Sequence, residues 1–417
     1  MNEPDLLKEV KPSASVTKSA LCKHKAILDA LFICSDSYNY AEAYLIRGDD
    51  MSKKIAFICS VESYKLSDAH IFKDLCLVPI LLGEYLGYDV SILTTEMNEA
   101  LLKQNFPAVT FQHIPFEDDY VANMNTYLIE HAKDIDIAFV IGPYPSYLSI
   151  LKTYKKFNPN GKIYMKLDVN RFWLNRLKTY PYFSELLQLC DVLSSECESI
   201  QNAIHEFLNL DIKRIPNGFY ELFQTDPVSY KEKENRILTV GRLDAPEKQI
   251  LLAVKAFLAA QLSDWEFRLV GPMSEAFRQE LLNVLDGNPF AAQVIILGPI
   301  YDKVQLEEEY RKAKIFCLTS LVECYAHVFA EAAKNGCYIV STDVDGALDI
   351  THNQRYGTIH PTHDWQSVGQ TLQQVTKQEA LLGDTCEHLQ AFARAELNWQ
   401  HIVQKVAQYL GEKPSLN

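Results

Sequence analysis

The sequence lacks the paired cysteine spacings that zinc sites and redox motifs use. Its ten cysteines include no C-x-x-C pair, and several lie inside apolar runs such as 55–59 and 315–318. This usage favours buried thiols in a reducing compartment over disulfides. No apolar run approaches the ~18–20 residues that a membrane-spanning helix needs. We therefore expect a cytoplasmic protein.

Glycine, proline and positive charge are also scarce. The chain of 417 residues holds 16 Gly and 17 Pro, which excludes collagen-like and mucin-like classes. Its 40 Lys and Arg against 54 Asp and Glu give a net charge of −14. That charge repels phosphate backbones at long range and argues against nucleic acid as a partner. The length predicts two or three globular domains.

From residue 51 onward, short apolar runs alternate with segments of helical period, a pattern typical of βαβ units and parallel sheets. The predicted strands fall into two groups, 54–59, 89–94, 136–141, 162–167 and 191–195, then 236–240, 266–270, 293–297, 314–318 and 337–341. They predict two doubly wound, Rossmann-like α/β domains facing each other across a cleft, with ligands at the carboxyl ends of the strands.

The predicted domain boundaries follow from composition. Residues 1–50 form an N-terminal extension, 51–218 the first domain, and 219–235 a linker that ends in a polar, charge-dense run. The second domain spans 236–390. Residues 391–417 form a C-terminal helix that packs back toward the first domain.

Two motifs in the second domain carry recognisable chemistry. Gly241, Arg242 and Lys248 follow its first strand and lead into a helix. A tight turn with two cations at a helix start suits a diphosphate, although a solvated loop explains them too. Glu323 and Glu331, eight residues apart, follow a later strand. Carboxylates accept strongly from sugar hydroxyls, and an exposed helix face is the alternative.

The order of these motifs, followed by Asn335-Gly336 and Val344–Gly346, resembles the second domain of retaining GT-B glycosyltransferases of family 4 over about residues 210–410. The resemblance implies that Arg242 and Lys248 bind the donor diphosphate. It also implies that Glu331 accepts from the ribose hydroxyls and that Glu323 faces the transferred sugar. The residues it places against the donor are Gly241, Arg242, Lys248, Glu323, Tyr325, Ala326, His327, Val328 and Glu331.

The resemblance further implies that the co-substrate is a nucleotide sugar, and we expect a UDP-sugar first. It implies no cofactor and no metal. In this family the acceptor hydroxyl is thought to attack the sugar from the same face as the leaving phosphate, which helps to deprotonate that hydroxyl. Glu323 is therefore not expected to act as a nucleophile. The catalytic candidates are Glu323, Arg242, Lys248 and Asp168.

The first domain departs from the family pattern. The stretch 60–68 has no glycine where the family commonly carries a Gly-Gly loop. Asp168, at the end of a predicted strand, is the best candidate for the acid or histidine that faces the sugar. The alternative is that Asp168 caps the following helix.

A basic run interrupts this acidic chain. Residues 152–178 contain eight basic side chains and one acid, a net charge of +7. Such a surface, at the inner face of a membrane, would dock an anionic bilayer or a lipid-linked acceptor; a solvated helix face is the alternative. The pairs Asp134/Asp136 and Asp343/Asp345 spell D-x-D by chance, and 360–363 reads as a loop.

The leading hypothesis is a retaining, metal-independent glycosyltransferase acting on a glycan, lipid-linked or protein acceptor. The alternative is a catalytically silent GT-B module that binds a partner glycosyltransferase or a glycan. An epimerase or phosphorylase on the same fold fits the motifs less well.

Overall fold

A computed structural model describes residues 52–61, 65–117, 119–219 and 226–411. The predicted extension 1–50 and part of the predicted linker lie outside the described residues. Among the helices described here, none has the length and apolar character to cross a membrane.

The first domain is a seven-stranded parallel sheet in the order β3-β2-β1-β4-β5-β6-β7. Its strands are β1 (Lys54–Ile58), β2 (Asp89–Thr94), β3 (Thr110–His113), β4 (Ile137–Ile141), β5 (Lys162–Lys166), β6 (Val192–Ser195) and β7 (Ile212–Arg214). Its helices are α1 (Asp68–Ile71), α2 (Asp74–Leu86), α3 (Glu99–Asn105), α4 (Tyr120–His131), α5 (Ser146–Phe157), α6 (Arg171–Leu177), α7 (Pro181–Gln188) and α8 (Glu198–Leu208).

The central strands of this sheet are apolar on both faces because helices cover both sides. In β1, Ile55 and Phe57 pack into one core cluster while Ala56 and Ile58 pack into another on the opposite face. This alternation fixes the register of the strand between two layers of helices.

The second domain repeats the plan with a six-stranded parallel sheet in the order β10-β9-β8-β11-β12-β13. Its strands are β8 (Glu234–Val240), β9 (Glu266–Val270), β10 (Val294–Gly298), β11 (Ala313–Leu318), β12 (Tyr338–Thr342) and β13 (Gly357–His360). Its helices are α9 (Ile250–Ala260), α10 (Glu275–Leu285), α11 (Lys303–Lys312), α12 (His327–Lys334), α13 (Ala347–Ile350), α14 (Trp365–Val375) and α15 (Glu379–Glu396).

The chain closes with α16 (Trp399–Tyr409), which packs into the core of the first domain. Trp399, Ile402 and Val403 belong to the same apolar cluster as Ile55 and Phe57. The predicted boundary after residue 390 falls inside α15, since that helix runs unbroken to Glu396. The chain turns only at 397–398, where the Asn398 side chain caps α16.

The two sheets present their carboxyl edges to one cleft. His327, at the start of α12 after β11, contacts Asp74, at the start of α2 after β1. Cys324 contacts the Asp168 carbonyl beyond β5. This edge is where open α/β sheets bind ligands.

Candidate active site

The turn after β8 brings its backbone close to the neighbouring strand end. A Cβ on Gly271 would lie 1.7 Å from the Gly241 carbonyl oxygen, and the φ of Gly271 is +145°. A Cβ on Gly241 would meet nothing within 4 Å. The close approach of these strand ends requires glycine at 271, while Gly241 faces open space where a ligand has room.

Lys248 and Glu323 meet at the mouth of this turn. Lys248 Nζ lies 2.5 Å from Glu323 Oε1, and the two side chains are 18% and 13% exposed. Ser320 Oγ donates to the same carboxylate oxygen at 2.6 Å. Thr319 Oγ1 donates to the Lys248 carbonyl at 3.1 Å, which ties the two loops together. The sequence motifs therefore converge into one partly desolvated pair of opposite charges.

Arg242 occupies a more solvated position. Its side chain is 68% exposed, and its Nη2 lies 2.5 Å from Glu247 Oε1. An exposed pair of this kind contributes little to stability, so the guanidinium is available to exchange Glu247 for another anion.

Glu331 lies in the second turn of α12, surrounded by protein. Tyr310 Oη donates to Glu331 Oε2 at 2.7 Å. Desolvation raises the pKa of Glu331 above its ordinary value, and the hydrogen bond from Tyr310 opposes that shift. A desolvated carboxylate oriented by a tyrosine accepts hydrogen bonds from hydroxyls with high selectivity.

The loop before α12 faces the cleft with backbone amides rather than with side chains. The Tyr325 ring is buried and packs on Gly346, whose added Cβ would lie 2.4 Å from Tyr325 Cδ2. Asn217 Nδ2 donates to the Tyr325 carbonyl at 3.0 Å. Ala326 caps α12 in extended conformation, so the first amides of the helix are those of His327 and Val328. This helix start presents the positive end of its dipole to the cleft.

A buried charge cluster, formed by Asp74, Lys166, Glu196 and His327, crosses the floor of the cleft. Lys166 and Glu196 are fully buried and ion-paired, and Lys166 Nζ lies 2.7 Å from Asp74 Oδ2. His327 Nε2 lies 3.2 Å from Asp74 Oδ1. The cluster thus joins α12 of the second domain to β5 and α2 of the first.

The pKa values of the two carboxyl groups in this cluster shift in opposite directions. Burial would raise the pKa of Asp74, but the charges of Lys166 and His327 hold it far below its ordinary value. Burial raises the pKa of Glu196 to about 7, against the pull of Lys166. One lysine therefore keeps one carboxylate ionised while the second approaches neutrality at physiological pH.

Asp168 follows β5 in a left-handed conformation, with a φ of 44°. The residue is exposed to solvent. Desolvation first and the charge of Asp74 second raise its pKa. Asn170, not Asp168, caps α6 by accepting from the Trp173 amide at 2.9 Å. The capping alternative for Asp168 is therefore wrong, and the strained backbone keeps its carboxyl at the cleft.

The second D-x-D pair, Asp343 and Asp345, forms ion pairs with Arg171 of the first domain. Arg171 Nε lies 2.8 Å from Asp345 Oδ1 and Arg171 Nη2 lies 3.0 Å from Asp343 Oδ1. Ser199 Oγ also donates to Asp345 Oδ1 at 2.7 Å. In the first pair, Asp136 accepts from the Lys54 amide at 2.8 Å. Within the described ranges, no group of three or more His, Cys, Asp or Glu side chains could hold a metal ion.

The basic run 152–178 does not form one continuous charged face. Two of its lysines form ion pairs nearby, Lys152 with Glu185 and Lys155 with Asp191. Lys162 donates a hydrogen bond to the Leu410 carbonyl. Lys166 is buried, and Arg171 forms an ion pair with Asp343 of the second domain. Lys156, Arg176 and Lys178 lie over the rings of Phe157, Trp173 and Phe207.

Two cavities flank the cleft. The larger, of about 1160 Å³, is lined by Arg214, Asp349 and Phe392, and Tyr325 is the one predicted donor-site residue on its wall. The smaller, of about 440 Å³, includes Glu323. Glu323 is the one predicted catalytic residue on the wall of the smaller cavity, and Glu196 of the charge cluster lies on the wall of the larger one.

The chain resembles known proteins in part of its sequence and in its fold. Residues 223–396 match the family model for glycosyl transferases group 1. HepE from Anabaena, solved in complex with UDP, has a TM-score of 0.67 at 18% identity, covering 86% of this chain and 99% of HepE. The fold is GT-B.

Other GT-B enzymes align over similar lengths. A glycosyltransferase from Rickettsia africae gives a TM-score of 0.66 at 14% identity, over 87% of this chain and 98% of its own. Sucrose-phosphate synthase from Thermosynechococcus elongatus gives 0.62 at 16%, over 86% and 98%. No curated protein matches the chain in sequence. The family match and the GT-B fold together support a nucleotide-sugar-dependent glycosyltransferase.

Proposed function

We propose that this protein is a retaining, metal-independent glycosyltransferase that moves a sugar from a nucleotide sugar to a glycan, lipid-linked or protein acceptor. The observation that carries the proposal is the convergence of Lys248 and Glu323 at 2.5 Å on the carboxyl edge of the second sheet. HepE has been solved with UDP and with UDP-glucose, which supports a UDP-sugar as the donor.

The roles of the donor-side residues are those that the family resemblance implies, and the chemistry of the side chains supports them. Lys248 and Arg242 bind the diphosphate, and the Lys248 ammonium turns from Glu323 to the phosphate as the donor enters. Glu331 accepts from the ribose hydroxyls, and Tyr310 holds its carboxylate in place. Glu323 and Asp168 face the transferred sugar, while the amides of residues 325–328 lie against sugar and phosphate.

The reaction breaks the bond between the anomeric carbon and the phosphate oxygen and forms one to the acceptor oxygen on the same face. Negative charge builds on the leaving phosphate as the anomeric carbon gains oxocarbenium character. Fixed cations at Lys248 and Arg242 stabilise that charge without a metal. The acceptor hydroxyl gives its proton to the departing phosphate.

Nucleotide release from a panel of UDP-, GDP-, ADP- and dTDP-sugars, with EDTA present, tests the proposal. We expect slow release from one donor, and a loss of about tenfold or more in kcat/KM for Glu331→Gln, which removes the charge that the ribose hydroxyls meet. Glu280→Gln, on the exposed side of α10, is the matched control. The anomeric configuration of a transfer product, determined by NMR, tests retention.

If no donor of the panel releases nucleotide, and no nucleotide raises the thermal stability of the protein, the proposal is contradicted. That outcome would favour the silent GT-B module, for which the lack of glycine at 60–68 and the 50-residue N-terminal extension are the motivation. Membrane contact through 152–178 stays a prediction, now resting on Lys156, Arg176 and Lys178.

A further inference from the structure

An unassigned cavity opens beside Glu323, between the two domains. It measures about 440 Å³ and is lined by Arg171, Phe172 and Trp173 of the first domain and by residues 321–323 and 343–345 of the second. Sites for small molecules commonly measure ~300–1,000 Å³. Because Glu323 contributes to this wall and also contacts Lys248, the cavity adjoins the proposed donor site.

The aromatic shelf, which we define as Phe172, Trp173, Leu321 and Val322, gives this cavity its apolar character. Phe172 is 66% exposed and Trp173 is 49% exposed, with ring centroids 5.6 Å apart at 76°. Leu321 faces them from the second domain and is also exposed. Contiguous apolar surface of this kind marks places that a ligand or partner covers.

The charged groups around the shelf already have partners. Arg171 bonds to both Asp343 and Asp345, and Glu323 bonds to Lys248. A polar ligand in the cavity would have to compete with these ion pairs for its hydrogen bonds. An apolar group gains free energy by covering the rings and needs no polar partner.

We propose that the aromatic shelf binds the apolar aglycone of the acceptor, an alkyl or aryl group attached to the acceptor sugar, while the attacking hydroxyl faces Glu323. This inference rests on the proposed function and narrows its acceptor to glycosides that carry such a group. Free oligosaccharides and polar glycosides bind the shelf weakly.

Binding of matched octyl and methyl glycosides, with glucose, galactose and mannose headgroups, tests the proposal. Saturation-transfer NMR below the critical micelle concentration is expected to show transfer to the octyl chain and an affinity at least tenfold above that of the methyl partner. Trp173→Ala and Phe172→Ala reduce that preference to threefold or less. Trp173→Phe retains it, because an aromatic ring remains on the shelf.

Phe207→Ala provides a matched control at the far end of α8, since its exposed fraction is 37%. Equal affinity for octyl and methyl glycosides, or an octyl preference that survives Trp173→Ala, would overturn the proposal. Preference for a longer oligosaccharide over the octyl glycoside would also overturn it, in favour of sugar stacking on the shelf.

Turnover with the identified donor gives a second readout. The ratio of kcat/KM for octyl over methyl acceptors should be about tenfold in the wild type and fall toward one in Trp173→Ala. The NMR measurement needs no turnover. Intact octyl binding without nucleotide release would therefore overturn the proposed function alone, whereas nucleotide release without octyl preference would overturn this inference alone.

Discussion

Replacing Lys248 by methionine is expected to lower kcat/KM for the nucleotide sugar by about 10²–10³. The Lys248 ammonium is 18% exposed and lies in a partly desolvated site, where a fixed charge acts strongly on charge that develops in the transition state. Its loss also leaves the Glu323 carboxylate without its partner, and that carboxylate then repels the leaving phosphate. Steady-state nucleotide release with the identified donor measures the effect.

Lys255→Met is the matched control for this change, since Lys255 is an exposed lysine on α9. A second variant, Lys248→Met with Glu323→Gln, separates the two effects because it removes the repelling carboxylate together with the cation. Turnover by Lys248→Met within threefold of the wild type would show that this cation does not act on the phosphate. Thermal unfolding of each variant verifies that the fold is intact.

Lys166→Met is expected to reduce the free energy of unfolding by about 3–5 kcal/mol at pH 7, because removing one partner of a buried ion pair leaves charge without compensation. Lys166 is the cation that both Asp74 and Glu196 contact inside the cleft floor. Urea denaturation followed by circular dichroism measures the loss, with the exposed Lys133→Met as control.

The pH dependence of this loss carries a definite sign. The lowered pKa of Asp74 contributes stability above its ordinary pKa of 3.8, and the wild type loses that contribution as the pH falls. In Lys166→Met the buried carboxyl groups lack their cation and take up protons more readily. The difference between wild type and variant should therefore shrink as the pH falls through about 4. A difference that stays constant from pH 7 to about pH 3 would exclude the charge cluster as its source.

The strands that the sequence predicts are those that contain at least two consecutive apolar residues. The ten predicted strands are confirmed within two residues at each end, because a strand that is buried on both faces shows consecutive apolar residues in the sequence. Strands β3, β7 and β13 are not predicted. They have three or four residues and include polar side chains such as Gln112, Lys213 and Thr358. All three lie at the edges of the sheets, where one side needs no apolar cover.

Some residues of the candidate site can be predicted from their neighbours in the sequence, and others depend on contacts between distant parts of the chain. Lys248, Glu323 and Glu331 could be predicted because each follows a recognisable strand and belongs to a short motif. The buried charge cluster could not, since Asp74 and His327 are 253 residues apart in the sequence and belong to different domains. The position of Lys166 in the sequence indicated the cluster, although a count of charges along the chain does not show it. Lys166 ends β5 directly after the three buried apolar residues 163–165, and a lysine is buried at such a position only if acids surround it.

The position of a bound nucleotide tests the central claim most directly. A crystal structure of this chain with the nucleoside diphosphate of its identified donor should place the diphosphate within hydrogen-bond distance of Lys248 Nζ and the Arg242 guanidinium, with the ribose hydroxyls on Glu331. A nucleotide bound elsewhere, such as in the larger cavity lined by Arg214 and Phe392, would contradict the account, as would its absence at saturating concentration.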